Sequence, residues 1–213
     1  MPQATVHVVS ADQPLPTDAA HRRAFLAAFL RRPTTMGAVV PSSARLSAVL
    51  ASIVPTAGAP VVVELGPGTG AVSAVIDERL PRGARHLAVE LDEGMVEFLG
   101  RTRPGLEVVH GDARDLGKLL AERGVMHVDA VVCGLPWALF DEPTQQRVLT
   151  EVGHAIGPTG AFTTFAYLPG MALPAAHRFR RTLRARFEEV LITAPVWRNM
   201  PPAFVYVCRR PIG

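Results

Sequence analysis

The sequence predicts a doubly wound α/β fold: a seven-stranded, mostly parallel sheet with helices on both faces and one antiparallel edge strand. Three observations carry this expectation. From Pro60 onward, short apolar runs alternate with amphipathic segments. Those runs are Val-rich with little polar alternation, as expected of strands covered on both faces. The last two runs follow one another without a helical pattern between them, so they can pair antiparallel and close one edge.

Taken in order, the predicted strands lie near 61–65, 85–90, 106–110, 128–133, 160–168, 189–196 and 203–209. Helices are predicted near 70–80, 92–101, 115–123, 143–156 and 174–187. Ahead of them, residues 1–16 hold three Pro and no usable periodicity, which reads as a loose leader. Thr17 or Asp18 caps a helix to about Arg32, whose Phe25, Leu26, Phe29 and Leu30 form one stripe with Arg at both ends. After a Pro-bounded break, Ser42 or Ser43 caps a second helix carrying Leu46, Val49, Leu50 and Ile53. Residues 17–57 therefore read as N-terminal helices and 58–213 as the main domain.

Composition narrows the classes. The chain has 213 residues, 48% of them hydrophobic, and a mean hydropathy of +0.21, which excludes general disorder. No apolar run approaches the roughly eighteen residues a membrane span needs. Two cysteines, Cys133 and Cys208, make no disulfide framework, and no zinc-ligand spacing surrounds them, so no metal is expected. Net charge is only +3, yet the pI is about 9.4, because 21 of the 22 basic residues are Arg. Arg178, Arg180, Arg181, Arg184 and Arg186 crowd the acid-free residues 174–187; Arg22, Arg23, Arg31 and Arg32 crowd the acid-free residues 21–32. Solvated helix faces account for such runs as readily as an anionic partner does: a lipid surface, a phosphate or RNA.

The sharpest motif is Val61-Val-Val-Glu-Leu-Gly-Pro-Gly-Thr-Gly70, a strand running into a glycine-rich turn and then a helix. Such a turn lets backbone approach a ligand, and the helix start adds N–H donors. Gly66, Gly68 and Ala71 also satisfy G-x-G-x-x-A, the dinucleotide pattern, with Glu90 where a ribose acid belongs. Glu64 argues against a pyrophosphate, since its charge precedes the glycines; a sulfonium and an ammonium suit it better. His110-Gly-Asp112 brings a further carboxylate to the end of the third strand, and Cys133-Gly-Leu-Pro-Trp137 ends the fourth with a rigid aromatic turn. These features favour S-adenosylmethionine over NAD.

With E-L-G-P-G-T-G, V-E-L-D at 89–92, G-D-A at 111–113 and G-L-P-W at 134–137, the chain resembles the class I S-adenosylmethionine-dependent methyltransferases, of Rossmann-like fold. Within them it is most similar to the bacterial phospholipid N-methyltransferases, which convert phosphatidylethanolamine to phosphatidylcholine. The segments Phe25 to Ser43, Phe165-Ala-Tyr167 and Val196 to Tyr206 extend that resemblance over about residues 20 to 210.

The resemblance implies a cofactor site of Glu64, Gly66, Gly68, Gly70, Glu90, Asp112, Ala113 and Cys133. Glu90 would take the ribose hydroxyls and Asp112 the adenine amine; the alternative for Asp112 is a turn cap, and Asp92 reads as a helix N-cap. Gly37 and Ser42–Ser43 either close the pocket or, for the serines, simply cap a helix. Tyr167 and Trp137 are either core aromatics or walls of an amine pocket, where an aromatic face holds a cationic nitrogen. Arg198 either grips a lipid phosphate or makes a surface ion pair. Asp141, Glu142 and ordered water remain open as proton acceptors.

The activity expected is methylation of the phosphatidylethanolamine amine, on an anionic phospholipid surface, by a cytoplasmic protein held peripherally at the inner face of the membrane. The first helix is the expected contact, either as a membrane element or as a lid. The rivals are a small-molecule methyltransferase of secondary metabolism, a ribosomal RNA adenine dimethyltransferase and a non-enzymatic binding module. Against RNA, Gly134 stands where that family's motif carries an Asn, and no additional C-terminal helical domain is visible.

Overall fold

The computed structural model describes residues 42–212. The expected leader, the first helix and Gly37 lie outside the described residues. Seven strands form one sheet: β1 (Val61–Leu65), β2 (Arg85–Glu90), β3 (Glu107–His110), β4 (Ala130–Cys133), β5 (Ala161–Tyr167), β6 (Phe187–Ile192) and β7 (Ala203–Pro211). Their order is β3-β2-β1-β4-β5-β7-β6. The first five run parallel, and β7 inserts antiparallel between β5 and β6. The last two strands do close one edge. The reversed strand, however, is β7, one place in from that edge, and β6 is outermost.

That placement follows from burial. Six residues of β7, Ala203 to Cys208, are buried, as suits a strand paired on both sides, whereas Leu191 and Ile192 of β6 are exposed. Helices α1 (Ala44–Leu50), α2 (Ala71–Arg79) and α3 (Glu93–Thr102) cover one face; α4 (Leu116–Ala121), α5 (Glu142–Ile156) and α6 (Pro174–Arg186) cover the other. The predicted helix ends fall within a few residues of these bounds. The second predicted helix ends earlier than its apolar spacing suggested, tightening at Ala51–Ile53 into a 3-10 turn.

Helix α1 belongs to the core of the main domain. Leu46 and Leu50 are fully buried in one cluster with Val62 of β1, Ala130 of β4 and Val205 of β7. The buried Thr163 hydroxyl donates to the Leu50 carbonyl at 2.8 Å. The boundary drawn at residue 58 from sequence therefore moves upstream: a helix this short stands only by burying its stripe on the sheet. Ser43 is its N-cap, accepting from the Leu46 amide at 3.2 Å.

Candidate active site

Parallel pairing brings the ends of β1, β2 and β4 to one edge of the sheet, and the turns that follow carry the polar residues singled out in the sequence. Gly66, Gly68 and Gly70 all have positive φ, at 69°, 55° and 79°. Their surroundings differ. A Cβ on Gly66 would lie 2.9 Å from Leu135 Cδ2, and one on Gly70 would lie 2.6 Å from Arg103 Nε. At Gly68 it would meet nothing within 4 Å. The positive φ favours glycine at all three positions; at Gly66 and Gly70 the Leu135 and Arg103 side chains crowd the turn, and Gly68 borders open space.

Glu90 ends β2 and is 1% exposed. One carboxylate oxygen accepts from the Gly68 amide at 3.2 Å; the other accepts from the Leu91 and Asp92 amides at 2.8 and 3.0 Å. Burial pushes its pKa up, and these three backbone donors pull against that shift. Asp92 itself caps α3 through the Met95 amide at 3.0 Å, as expected.

Glu64 is buried on the face covered by α1 and α2. Its Oε2 accepts from the Ser73 hydroxyl of α2 at 2.6 Å and stands 3.4 Å from Nε2 of His86. The other ring nitrogen of His86 is 2.7 Å from Asp77. Desolvation acts to lower the His86 pKa, but hydrogen bonding and attraction from Asp77 and Glu64 together raise it. Ser73, Asp77 and His86 were missed from sequence. The one available signal was a histidine in the otherwise apolar interior stretch of β2.

Asp112 follows β3. Its carboxylate accepts from the Arg114 amide at 2.9 Å and from the guanidinium of the same residue at 2.6 and 3.0 Å. Asp112 thus caps the turn that follows β3, and Arg114 stands as its counter-ion, unforeseen from sequence. Ala113 next to it is partly buried against the core.

Two sequence expectations need correcting. Cys133 is fully buried, and burial pushes its thiol up to about 12, so its side chain belongs to the core and only its backbone can border a ligand. Trp137 is no pocket wall: it is 5% exposed, stacks on Phe179 of α6 at 4.7 Å and donates its indole N–H to Thr164 at 2.7 Å. The turn folds it under α6, where an apolar ring with one satisfied donor gains most.

Gly134 has its own reason. A Cβ there would sit 2.8 Å from the Gly66 carbonyl oxygen, so the turn after β4 packs directly on the glycine turn. Tyr167 ends β5 half-buried, edge-on to Phe165 at 5.4 Å, and burial pushes its phenol up. Asp141 caps α5 through Thr144 at 3.2 Å. Arg198 is exposed on the loop before β7.

A glycine turn beside open space, with carboxylates ending adjacent parallel strands, defines a Rossmann-like protein built to hold a nucleoside at the carboxyl edge of its sheet. Comparison with known proteins sharpens that class. A family model described as a methyltransferase domain matches residues 62–160. An ornithine lipid N-methyltransferase of Singulisphaera acidiphila is 34% identical over 188 residues, covering 87% of this chain and 94% of the relative. In fold, the chain is similar to the O-methyltransferase TomG of Streptomyces achromogenes, solved with S-adenosylmethionine, at TM-score 0.65 and 17% identity over 92% of each chain. It is also similar to human methyltransferase-like protein 13, solved with S-adenosylhomocysteine, at TM-score 0.58 and 17% identity over 78% and 79%. The chain belongs to the class I S-adenosylmethionine-dependent methyltransferases. It is an enzyme with S-adenosylmethionine as methyl donor, similar over most of its length to a lipid N-methyltransferase.

Proposed function

We propose that the enzyme methylates the amine of a membrane lipid: phosphatidylethanolamine and its methylated intermediates, giving phosphatidylcholine. The observation that carries the lipid assignment is the similarity to the ornithine lipid N-methyltransferase, which spans nearly the full length of both chains. The same similarity favours a second reading, in which the amine belongs to an ornithine lipid. Either substrate presents a primary amine at a bilayer surface, which fits a protein held peripherally at the inner face of the membrane.

The residues present fit the donor. Gly68 leaves space for it, and buried Glu90, which accepts from the Gly68 amide, brings a carboxylate beside that space. In this reading Glu64 and the glycine turn hold the methionine part, with Ala113 and the Cys133 backbone bordering the nucleoside. Glu90 takes the ribose hydroxyls by exchanging its hold on the Gly68 amide, and Asp112 takes the adenine amine. When bound, S-adenosylmethionine supplies an already activated methyl on a positively charged sulfur. The protein's task is then to hold a neutral amine in line within van der Waals reach.

Tyr167, at the end of β5 on the same edge, is the aromatic left to face that amine once Trp137 is assigned to the core. Arg198 holds the lipid phosphate. Burial of the amine favours loss of its proton before transfer. The test is direct: labelled S-adenosylmethionine is offered with vesicles of phosphatidylethanolamine, vesicles of ornithine lipid, ribosomal RNA or soluble amines. Label in phosphatidylethanolamine supports the first reading, and label in ornithine lipid alone supports the second. Label only in RNA or soluble amines rejects both.

A further inference from the structure

Two loops beside the candidate site share an unusual surface. The first follows β5, where Leu168–Gly170 forms a 3-10 turn and Met171 and Leu173 stand 39% and 58% exposed. The second precedes β7, where Trp197 and Met200 are 69% and 74% exposed. They are neighbours, because the Leu168 amide donates to the Pro202 carbonyl at 2.8 Å. Both lie at the carboxyl end of β5, the edge that carries the glycine turn.

Neither loop is loosely built. In the second, the Val196 amide donates to the Ala203 carbonyl, closing the loop. Asn199 is 4% exposed, donates to the Pro201 carbonyl at 2.7 Å and accepts from the Ser43 amide at 3.0 Å. With Asn199 fixed inward, Trp197 and Met200 are held outward. In the first, the Met171 and Leu173 amides donate back to Leu168 and Gly170 at 3.1 and 3.0 Å. A rigid framework that keeps a Trp, two longer apolar chains and a Leu in water implies something apolar to receive them.

Charge identifies the receiver. Residues 157–213 hold eight Arg and two acids, Glu188 and Glu189. Both acids lie in β6 and pair with Arg209 and Arg210 of β7. Arg198 sits between the two apolar residues of the second loop, and Arg178 and Arg181 are exposed on the helix that follows the first. Apolar tips flanked by guanidinium groups with no carboxylate partner among the described residues suit an anionic bilayer, where Trp settles at the interface and Arg meets phosphates.

We infer that loops 168–173 and 196–202 dock the enzyme on an anionic phospholipid bilayer, with Trp197, Met200, Met171 and Leu173 entering the interface. The inference rests on the lipid-substrate reading above, but it concerns a surface distinct from the donor site.

The experiment uses the full chain with vesicles of equal phosphatidylcholine and phosphatidylglycerol. Trp137 is buried, so emission that acrylamide quenches comes from Trp197. Vesicles should shift that emission to the blue and protect it from quenching. The variant W197S/M200S should bind the vesicles roughly tenfold more weakly, with S-adenosylmethionine affinity by calorimetry unchanged. Vesicle binding that leaves Trp197 open to acrylamide overturns the inference. So does a variant that sediments with vesicles like the wild type, and so does emission already protected without vesicles, which would assign the patch to residues 1–41 or to a second copy. Methyl transfer to detergent-dispersed lipid separates the two proposals. If no lipid amine is methylated while vesicles still bury Trp197, the substrate reading fails and the docking surface stands.

Discussion

Glu64 and Glu90 are both carboxylates at the ends of apolar strands, yet their neighbours differ. Glu90 is answered by backbone amides alone, and Glu64 by a hydroxyl and an imidazole. His86 therefore links stability to pH. Its native pKa lies above the ordinary 6.5, so the protonated ring is favoured on folding. The stabilisation is complete below the unfolded value and is lost as pH rises through the native one. Urea midpoints of wild type and H86Q should accordingly differ most in mild acid and converge in mild base; a constant gap would mean His86 contributes by packing alone. At the donor site, Gly68→Val should abolish S-adenosylmethionine binding by filling the space beside the turn. Asp112→Ala should weaken it by about 1–3 kcal/mol, the range for removing one hydrogen-bonded partner. Calorimetry showing wild-type affinity in both would move the donor elsewhere. Glu64 and Glu90 were legible in the sequence because a charge ending an apolar strand is conspicuous. The Ser73–Glu64–His86–Asp77 cluster was not, since its members meet only when β1, β2 and α2 are superposed. Trp137 stayed open between core and pocket wall for the same reason: an aromatic in a turn carries no mark of which side of the sheet it will enter.

At the level of elements, the short helix α1 tests how far local signals reach. Its cap and apolar spacing were visible, and Ser43→Ala should cost about 1 kcal/mol in chemical denaturation. Leu50→Ala should cost about 2–5 kcal/mol, because Leu50 is fully buried against the sheet. A Leu50 loss no larger than the cap loss would show that α1 is peripheral to the core. The Arg-rich α6 illustrates the reverse. Its sequence suggested a solvated or partner-facing helix, and it does expose Arg181 and Arg184. It also buries Phe179 and Leu183, the first of which forms the surface on which Trp137 stacks. One helix thus serves the core along one stripe and the solvent along the other.

For the whole molecule, donor binding and folding are linked. S-adenosylmethionine at about a hundred times its dissociation constant adds about 2.7 kcal/mol to stability, which for a chain of this size raises Tm by several degrees. NAD at the same concentration should leave Tm unchanged in differential scanning fluorimetry. A shift with NAD alone would reverse the cofactor assignment. The sequence by itself determined the α/β alternation, the seven strands, the glycine turn and the carboxylates at strand ends, because periodicity, turn chemistry and isolated charges are written along the chain. Tertiary structure alone decided that β7 inserts between β5 and β6, that α1 joins the main core and that Gly68 rather than Gly66 or Gly70 borders open space. It also decided that Trp137 turns inward while Trp197 stays in water. Each of these depends on which surfaces meet across long sequence separations, and burial of apolar area settles that for the assembled molecule rather than for any segment.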